Sequence, residues 1–334
     1  MGTPVDPVAP VIRAALAEAS ASPGYPMTAG TAELRSSAAA ALARRYGVTG
    51  LGEHAVLPVI GTKELIAWLP TLVGLGSDDV VVIPELAYPT YEVGARLAGA
   101  QVIPADSLTQ LGPQSPALIF LNSPSNPTGR VLGADHLRKV VEWARERGAL
   151  VVSDECYLGL AWDEQPYSVL HPSVCGGDHS GLLAVHSLSK SSSLAGYRAG
   201  FVAGDAAVVA ELLAVRKHAG MMVPGPVQAA MVAALDDDEH AIAQRDRYAS
   251  RRRVLLEAFR GAGFTVEHSE AGLYLWVTRD EPCRATVDWL AQRGILVAPG
   301  DFYGPAGARH VRVAMTATDE RVAAAVQRLS SQRG

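Results

Sequence analysis

The residues best suited to chemistry in this chain are Ser187-Leu188-Ser189-Lys190, followed by Gly196-Tyr197-Arg198. They come directly after the apolar run Leu182 to Val185, which reads as a short buried strand. Lys190 is thereby placed at a strand end, where α/β folds put their ligands. A lysine amine stripped of water there can form a Schiff base with a carbonyl. Two hydroxyls just before it and an arginine eight residues after it would suit a phosphate. Pyridoxal phosphate (PLP) carries both an aldehyde and a phosphate. An ordinary surface lysine in a serine-rich loop would have the same local sequence, so other stretches must decide.

Gly61-Thr62-Lys63 follows the strand-like segment Ala55 to Ile60 and opens a helix from Glu64 to about Leu75. Backbone N–H groups and the helix dipole make such a turn an anion site, although a plain turn with an N-cap threonine reads the same way. Ala117 to Leu121 is a strand ending in Asn122-Ser123-Pro124-Ser125-Asn126-Pro127-Thr128-Gly129. Its two prolines and glycine stiffen a turn that holds Asn126 at the strand's edge. Ala149 to Val152 ends in Ser153-Asp154-Glu155-Cys156-Tyr157. An acid directly after a buried strand needs a partner, and a cationic ring nitrogen would be one; an N-cap aspartate is the alternative. Cys156 reads as a packed small residue. Arg312, on the strand His310 to Ala314, suits a carboxylate ligand or a solvated edge charge. Tyr25, on a Gly-Tyr-Pro loop, suits an ordinary turn aromatic.

The elements that must position these residues alternate. Strands at 55–60, 79–84, 102–104, 117–121, 149–152, 182–185 and 200–203 are interleaved with helices at about 33–46, 64–75, 92–98 and 135–147, the last capped by Asp135. That rhythm predicts a mostly parallel sheet covered on both faces. Helices follow at 205–215, 226–235 and 239–261, and a first helix spans 7–20. Strands at 272–278, 295–298 and 310–314, with a final helix at 319–330, form a smaller α+β lobe. The chain has 334 residues, 49% of them hydrophobic, which is enough for two lobes. A formal charge of -5 without a basic stripe excludes nucleic acid as an expected partner. The apolar runs are too short to span a bilayer, and the start lacks a secretory signal, so a cytoplasmic location is expected. Three cysteines and nine histidines show no metal-ligand spacing, so free thiols and no metal are expected.

Taken together, Ser123 to Gly129, Ser153-Asp154-Glu155-x-Tyr157 and Ser187-x-Ser189-Lys190 through Arg198 resemble the class I/II aminotransferases, PLP enzymes of fold type I, over almost the whole chain. More closely, Leu86 to Arg96, Arg216 to Met222 and Val297 to Gly304 resemble actinobacterial-type N-succinyl-LL-diaminopimelate aminotransferases. The resemblance implies a large domain over 16–239 and a small one from 1–15 and 240–334. It implies that Lys190 anchors PLP and serves as base, that Asp154 pairs with the ring nitrogen, and that Tyr157 and Asn126 bond the ring oxygen. Tyr88 would stack on the ring, while Thr62 and the Lys63 backbone, with Ser187, Ser189 and Arg198, would hold the phosphate; the Lys63 side chain would face solvent. Arg312 would grip the substrate carboxylate, with the Gly2 backbone beside it. Tyr25 would reach the neighbouring subunit's phosphate in a homodimer with shared sites. The implied reaction moves an amino group from an amino acid, N-succinyl-LL-2,6-diaminopimelate by the closer resemblance, to 2-oxoglutarate in lysine biosynthesis. For a dicarboxylate donor, further positive charge would come from Arg216, Lys217 and His218, which otherwise form a solvated face. A different donor, a C–S lyase or decarboxylase on the same fold, and a non-catalytic PLP-binding regulator are the competing readings. The departure lies at the start: such enzymes carry an arm before the segment that Gly2 to Pro7 resembles.

Overall fold

The computed structural model describes residues 2–330. Its strands are β1 (Val56–Ile60), β2 (Val80–Ile83), β3 (Gln101–Pro104), β4 (Leu118–Asn122), β5 (Leu150–Asp154), β6 (Leu182–Ser187), β7 (Ala199–Gly204), β8 (Thr265–Glu267), β9 (Tyr274–Thr278), β10 (Ala298–Pro299) and β11 (His310–Ala314). The helices of the first half are α1 (Pro10–Ala19), α2 (Ala32–Tyr46), α3 (Thr62–Leu72), α4 (Thr90–Leu97), α5 (Ala134–Glu146) and the single turn α6 (Pro172–Cys175). The second half adds α7 (Leu188–Ser191), α8 (Ala206–Arg216), α9 (Gly225–Asp236), α10 (Asp238–Gly261), α11 (Cys283–Ala291) and α12 (Asp319–Ser330).

Seven strands form one sheet in the order β1-β7-β6-β5-β4-β2-β3. All neighbours run parallel except β7, which is antiparallel to both β1 and β6. Successive residues of β4 alternate between two cores. Leu118 and Phe120 pack on one face, and Ile119 and Leu121 on the other. Burial on both faces explains the unbroken apolar runs of the central strands. A second, antiparallel sheet, β10-β11-β9-β8, has its own core around Tyr248, Phe259, Leu275 and Val311.

Several local expectations are corrected. The N-cap of α5 is Gly133, not Asp135, which lies inside the first turn. Of the expected strand 295–298 only Ala298 pairs, together with Pro299 just beyond it, while α11 and β8 form where no element was expected. Helix α1 spans residue 15 and buries Ile12 in the core of the larger sheet.

Candidate active site

The sheet's topology brings the candidate residues to one edge. Strands β4, β5 and β6 are in parallel register, with Asn122 opposite Asp154 and Asp154 opposite Val185. Their C-terminal ends thus present Asn126, Asp154 and Lys190 side by side. Because β7 runs the other way, its start lies at the same edge and carries Arg198 there; Ser187 faces Gly200. β1 reverses once more, so Ile60 pairs with Ala199 and the Gly61-Thr62-Lys63 turn joins them. Arg312 arrives from β11 of the smaller sheet. Thr62, Lys63, Tyr88, Asn126, Asp154, Tyr157, Ser187, Ser189, Lys190, Arg198, Arg312 and Gly2 line one cavity of about 750 Å³. Tyr25 stands apart on the surface, 99% exposed.

Asp154 is buried, and its hydrogen-bond partners are neutral. The Tyr91 hydroxyl donates to Oδ2 at 2.8 Å and the Cys156 N–H to Oδ1 at 3.2 Å. Burial raises the carboxyl above its ordinary range, and the bonds from Cys156 and Tyr91 only partly oppose this. Tyr91, which the sequence reading did not select, is fully buried and stacked on Phe120. Lys190 belongs to the short α7, whose N-cap is Ser187; the Ser187 hydroxyl accepts from the Ser189 N–H at 3.1 Å. The Lys190 amine donates to the Gly2 carbonyl. Burial pushes it down to about 8; Cys156 opposes this, and the positive charges of Arg312 and then Arg198 add to it.

At one end of the cavity α3 begins at Gly61, which has φ 75° and ψ 148°. A Cβ there would stand 2.1 Å from Nη2 of Arg198, so glycine is required for the guanidinium to lie against the turn. Arg198 is itself left-handed, φ 57°, and donates to the Ala195 carbonyl at 2.9 Å. Thr62 is the first helical residue rather than the cap; its hydroxyl accepts from the Cys156 thiol at 3.3 Å. Cys156 therefore lines the cavity rather than serving only as core packing. The first-turn N–H groups of Thr62 and Lys63 have no carbonyl within the helix to bond. The Lys63 amine lies over the Tyr88 ring, 5.7 Å from its centre.

At the other end Arg312 is buried. It donates to Asn126 Oδ1 at 2.7 Å and packs on the rings of Tyr274 and Tyr303, 3.9 and 5.0 Å from their centres. Its Nε is buried without a partner. The Tyr157 and Tyr274 hydroxyls are 3.1 Å apart, and burial, reinforced by Tyr274, raises the Tyr157 phenol. The Asn126 turn is held by Asn122, which accepts from the Asn126 N–H at 2.7 Å and donates to the Asp154 carbonyl at 3.0 Å. Arg216 is neither a substrate cation nor part of a solvated face. It is fully buried and donates to both carboxylate oxygens of Glu64, at 2.8 and 3.0 Å. Lys217 and His218 do not line the cavity. The contributions of Tyr91 and Tyr274 have no local signature, since their partners lie far away in sequence, whereas Asn122 serves the turn that follows it directly; the Tyr88-x-x-Tyr91 spacing on α4 is the nearest thing to a signal for Tyr91.

Residues 2–329 match the family model described as aminotransferase class I and II. The chain is 79% identical over 330 residues to a probable aminotransferase of Mycobacterium tuberculosis, covering 99% of this chain and 79% of that one. It is 61% identical over 330 residues to the 4-dedimethylamino-4-oxo-anhydrotetracycline transaminase OxyQ of Streptomyces rimosus, covering 99% and 92%. Among solved structures, a probable N-succinyldiaminopimelate aminotransferase of Thermus thermophilus superposes with a TM-score of 0.89 at 28% identity, covering 99% of this chain and 93% of that one.

Proposed function

This chain belongs to the class I and II aminotransferases, PLP-dependent transaminases, and we propose that it transfers the amino group of N-succinyl-LL-2,6-diaminopimelate to 2-oxoglutarate in the cavity lined by Lys190 and Asp154. One observation carries the assignment of the site: a buried carboxylate with only neutral partners and a desolvated lysine share a single cavity. Such a carboxylate calls for a cationic ring nitrogen. The bare glycine turn beside Arg198 and the N–H groups at the start of α3 call for a phosphate. The residues thus fit PLP.

When bound, PLP supplies an electrophilic carbonyl and a ring that withdraws the charge left by a departing α-proton. Asp154 would keep the ring nitrogen protonated, and Tyr157 and Asn126 would bond the ring oxygen. Tyr88 would cover a ring face. Thr62, the Lys63 backbone, Ser187, Ser189 and Arg198 would hold the phosphate. Lys190 would anchor the cofactor covalently, and its Nζ would take and return the proton at the substrate α-carbon. An amine lowered to about 8 keeps a useful unprotonated fraction near neutral pH. Arg312 meets the α-carboxylate through donors left over from Asn126, its buried Nε among them. With Arg216 engaged by Glu64, positive charge for a distal carboxylate falls to Lys63 at the cavity wall.

The narrow donor assignment is supported by the Thermus neighbour's name and by the stretches quoted above. A second reading is favoured by the cavity's mouth, where Leu296 and Phe302 are 81% and 60% exposed. Those side chains suit a substrate with a bulky ring system, and the Streptomyces relative is named for an anhydrotetracycline. No helix among the described residues is long and apolar enough to cross a membrane; we place the enzyme in the cytoplasm, as a homodimer in which Tyr25 of each protomer reaches its partner's site. A donor panel with 2-oxoglutarate tests the assignment. Succinyl-diaminopimelate should surpass glutamate and simple amino acids in kcat/KM; parity among them removes the narrow donor and keeps the transaminase.

A further inference from the structure

Directly behind the cofactor cavity lies a pair of groups with no assigned task. Glu155 follows Asp154 on the chain, and His186 precedes Ser187. Their side chains are 0% and 7% exposed, and Glu155 Oε2 lies 3.3 Å from His186 Nε2. Each of these two atoms is buried and lacks any other hydrogen-bond partner. The other carboxyl oxygen, Oε1, is already used, accepting from the Val169 N–H at 2.7 Å. The imidazole is held flat against Phe201 of β7 and Tyr46 of α2, with ring centres 5.2 and 6.0 Å away.

Two buried lone pairs facing each other at that separation repel, and two buried polar atoms left unbonded are strongly disfavoured. A single proton between them removes both penalties. We propose that Glu155 and His186 share one proton between Oε2 and Nε2, and that this bond is a positioning device joining the end of β5, which carries Asp154, to the end of β6, which carries Lys190. The backbone repeats the link, with the Glu155 N–H donating to the Val185 carbonyl at 2.9 Å. Both residues act through their neighbours and touch neither substrate nor cofactor.

The surroundings keep His186 neutral throughout and Glu155 protonated below about pH 7. Burial lifts Glu155 to about 7, against bonds from Val169, Ser168 and Ser153, and the neighbouring Asp154 charge adds to the rise. Burial alone pulls His186 down to about 3. The groups that face the pair are the Tyr46 phenol and Asp154, neither of them cationic; of the arginines that line the same pocket, Arg44 and Arg45 are engaged by Asp238 and Arg245 by Asp246. Below pH 7 the shared proton sits on Glu155, and His186 carries its own on Nδ1. Above it Glu155 is ionised and the imidazole turns its N–H toward Oε2. The bond persists in both states.

The inference rests on the site reading above, but its first test does not use activity. In PLP-loaded full-length protein with ¹⁵N-labelled histidine, His186 should stay neutral from pH 5 to 9 and exchange its protonated nitrogen from Nδ1 to Nε2 near pH 7. In Glu155→Gln, whose amide can only donate to Nε2, the Nδ1–H form should persist throughout. A His186 that protonates to imidazolium near 6.5, or shows no exchange in the wild type, overturns the proposal. As a second readout, Glu155→Gln should keep kcat within about twofold at pH 6, while Glu155→Leu, similar in size but unable to bond, should lose roughly tenfold in kcat with KM less changed. Equal behaviour of the two variants indicates packing alone and also overturns it. If Glu155→Leu does not fold, the histidine spectra of the wild type and of Glu155→Gln decide.

Discussion

Arg312 shows how much one side chain here depends on shape as well as charge. Its guanidinium donates to Asn126 while lying flat on the Tyr274 ring, and it still has a buried Nε without a partner. A lysine carries the charge but can neither present a planar fork nor stack. Arg312→Lys is expected to lower kcat/KM for amino acids by roughly 10- to 100-fold, or about 1.4–2.8 kcal/mol, without loss of bound cofactor. Steady-state kinetics alongside the cofactor absorbance would check this, and unchanged kcat/KM would remove Arg312 from carboxylate recognition. Lys190 and Asp154 were legible from sequence because each lies within a few residues of the end of an apolar run, which fixes it near a strand end without knowledge of the fold. Tyr91, the donor to Asp154, was not, because the contact spans 63 positions and depends on how α4 lies across the sheet.

Among the elements, the turn into α3 is the tightest. Its Gly61 lies in a backbone region open almost only to glycine, directly against Arg198. Gly61→Ala should cost about 1–3 kcal/mol of backbone strain and displace the guanidinium. Weaker cofactor binding, read by equilibrium dialysis of PLP, is the expected result; unchanged affinity would show that Arg198 does not depend on this turn. A second device fixes the N-terminal segment. Arg251 on α10 donates to both oxygens of Asp6, at 2.6 and 2.8 Å, and also to Asp319. That clamp holds residues 2–6 where the Gly2 carbonyl meets Lys190. Asp6→Asn keeps one bond and loses the ion pair, so KM for the amino donor should rise about fivefold, the equivalent of ~1 kcal/mol, with kcat little changed. An unaltered KM would mean that the segment needs no clamp. Sequence reading placed most central strands to within a residue or two, because burial on both faces leaves continuous apolar runs. It missed α11 and β8, which are short and half-exposed, and it left Arg216 as a substrate cation or part of a solvated face, neither of which it is. The partner of Arg216, Glu64, is 152 residues away, and no local pattern reports such a pair.

Across the whole molecule, the two buried groups behind the site set opposing pH dependences of stability. Glu155 binds its proton more tightly when folded, about 7 against 4.5, so its contribution declines as pH rises through that window. His186 binds its proton less tightly when folded, about 3 against 6.5, so its contribution declines as pH falls through that window. Where the windows overlap the slopes cancel, which predicts a plateau across mildly acid pH from this pair. Glu155→Gln removes one slope, and its urea midpoint relative to wild type should then climb steadily from pH 4.5 to 6.5. A parallel pair of curves would contradict the assigned ionisation. The topology that brings the strand ends, the α3 turn and a smaller-sheet arginine to one cavity serves a single proposed event, covalent attachment of PLP at Lys190. The chain has only four lysines, Lys63, Lys139, Lys190 and Lys217, so the attachment can be located without ambiguity. The direct measurement is borohydride reduction of the PLP-loaded protein, followed by digestion and mass spectrometry of the lysine-containing peptides. The phosphopyridoxyl mass is expected on the peptide containing Lys190 and on no other; its appearance at Lys63, Lys139 or Lys217, or on none of the four, would contradict the account.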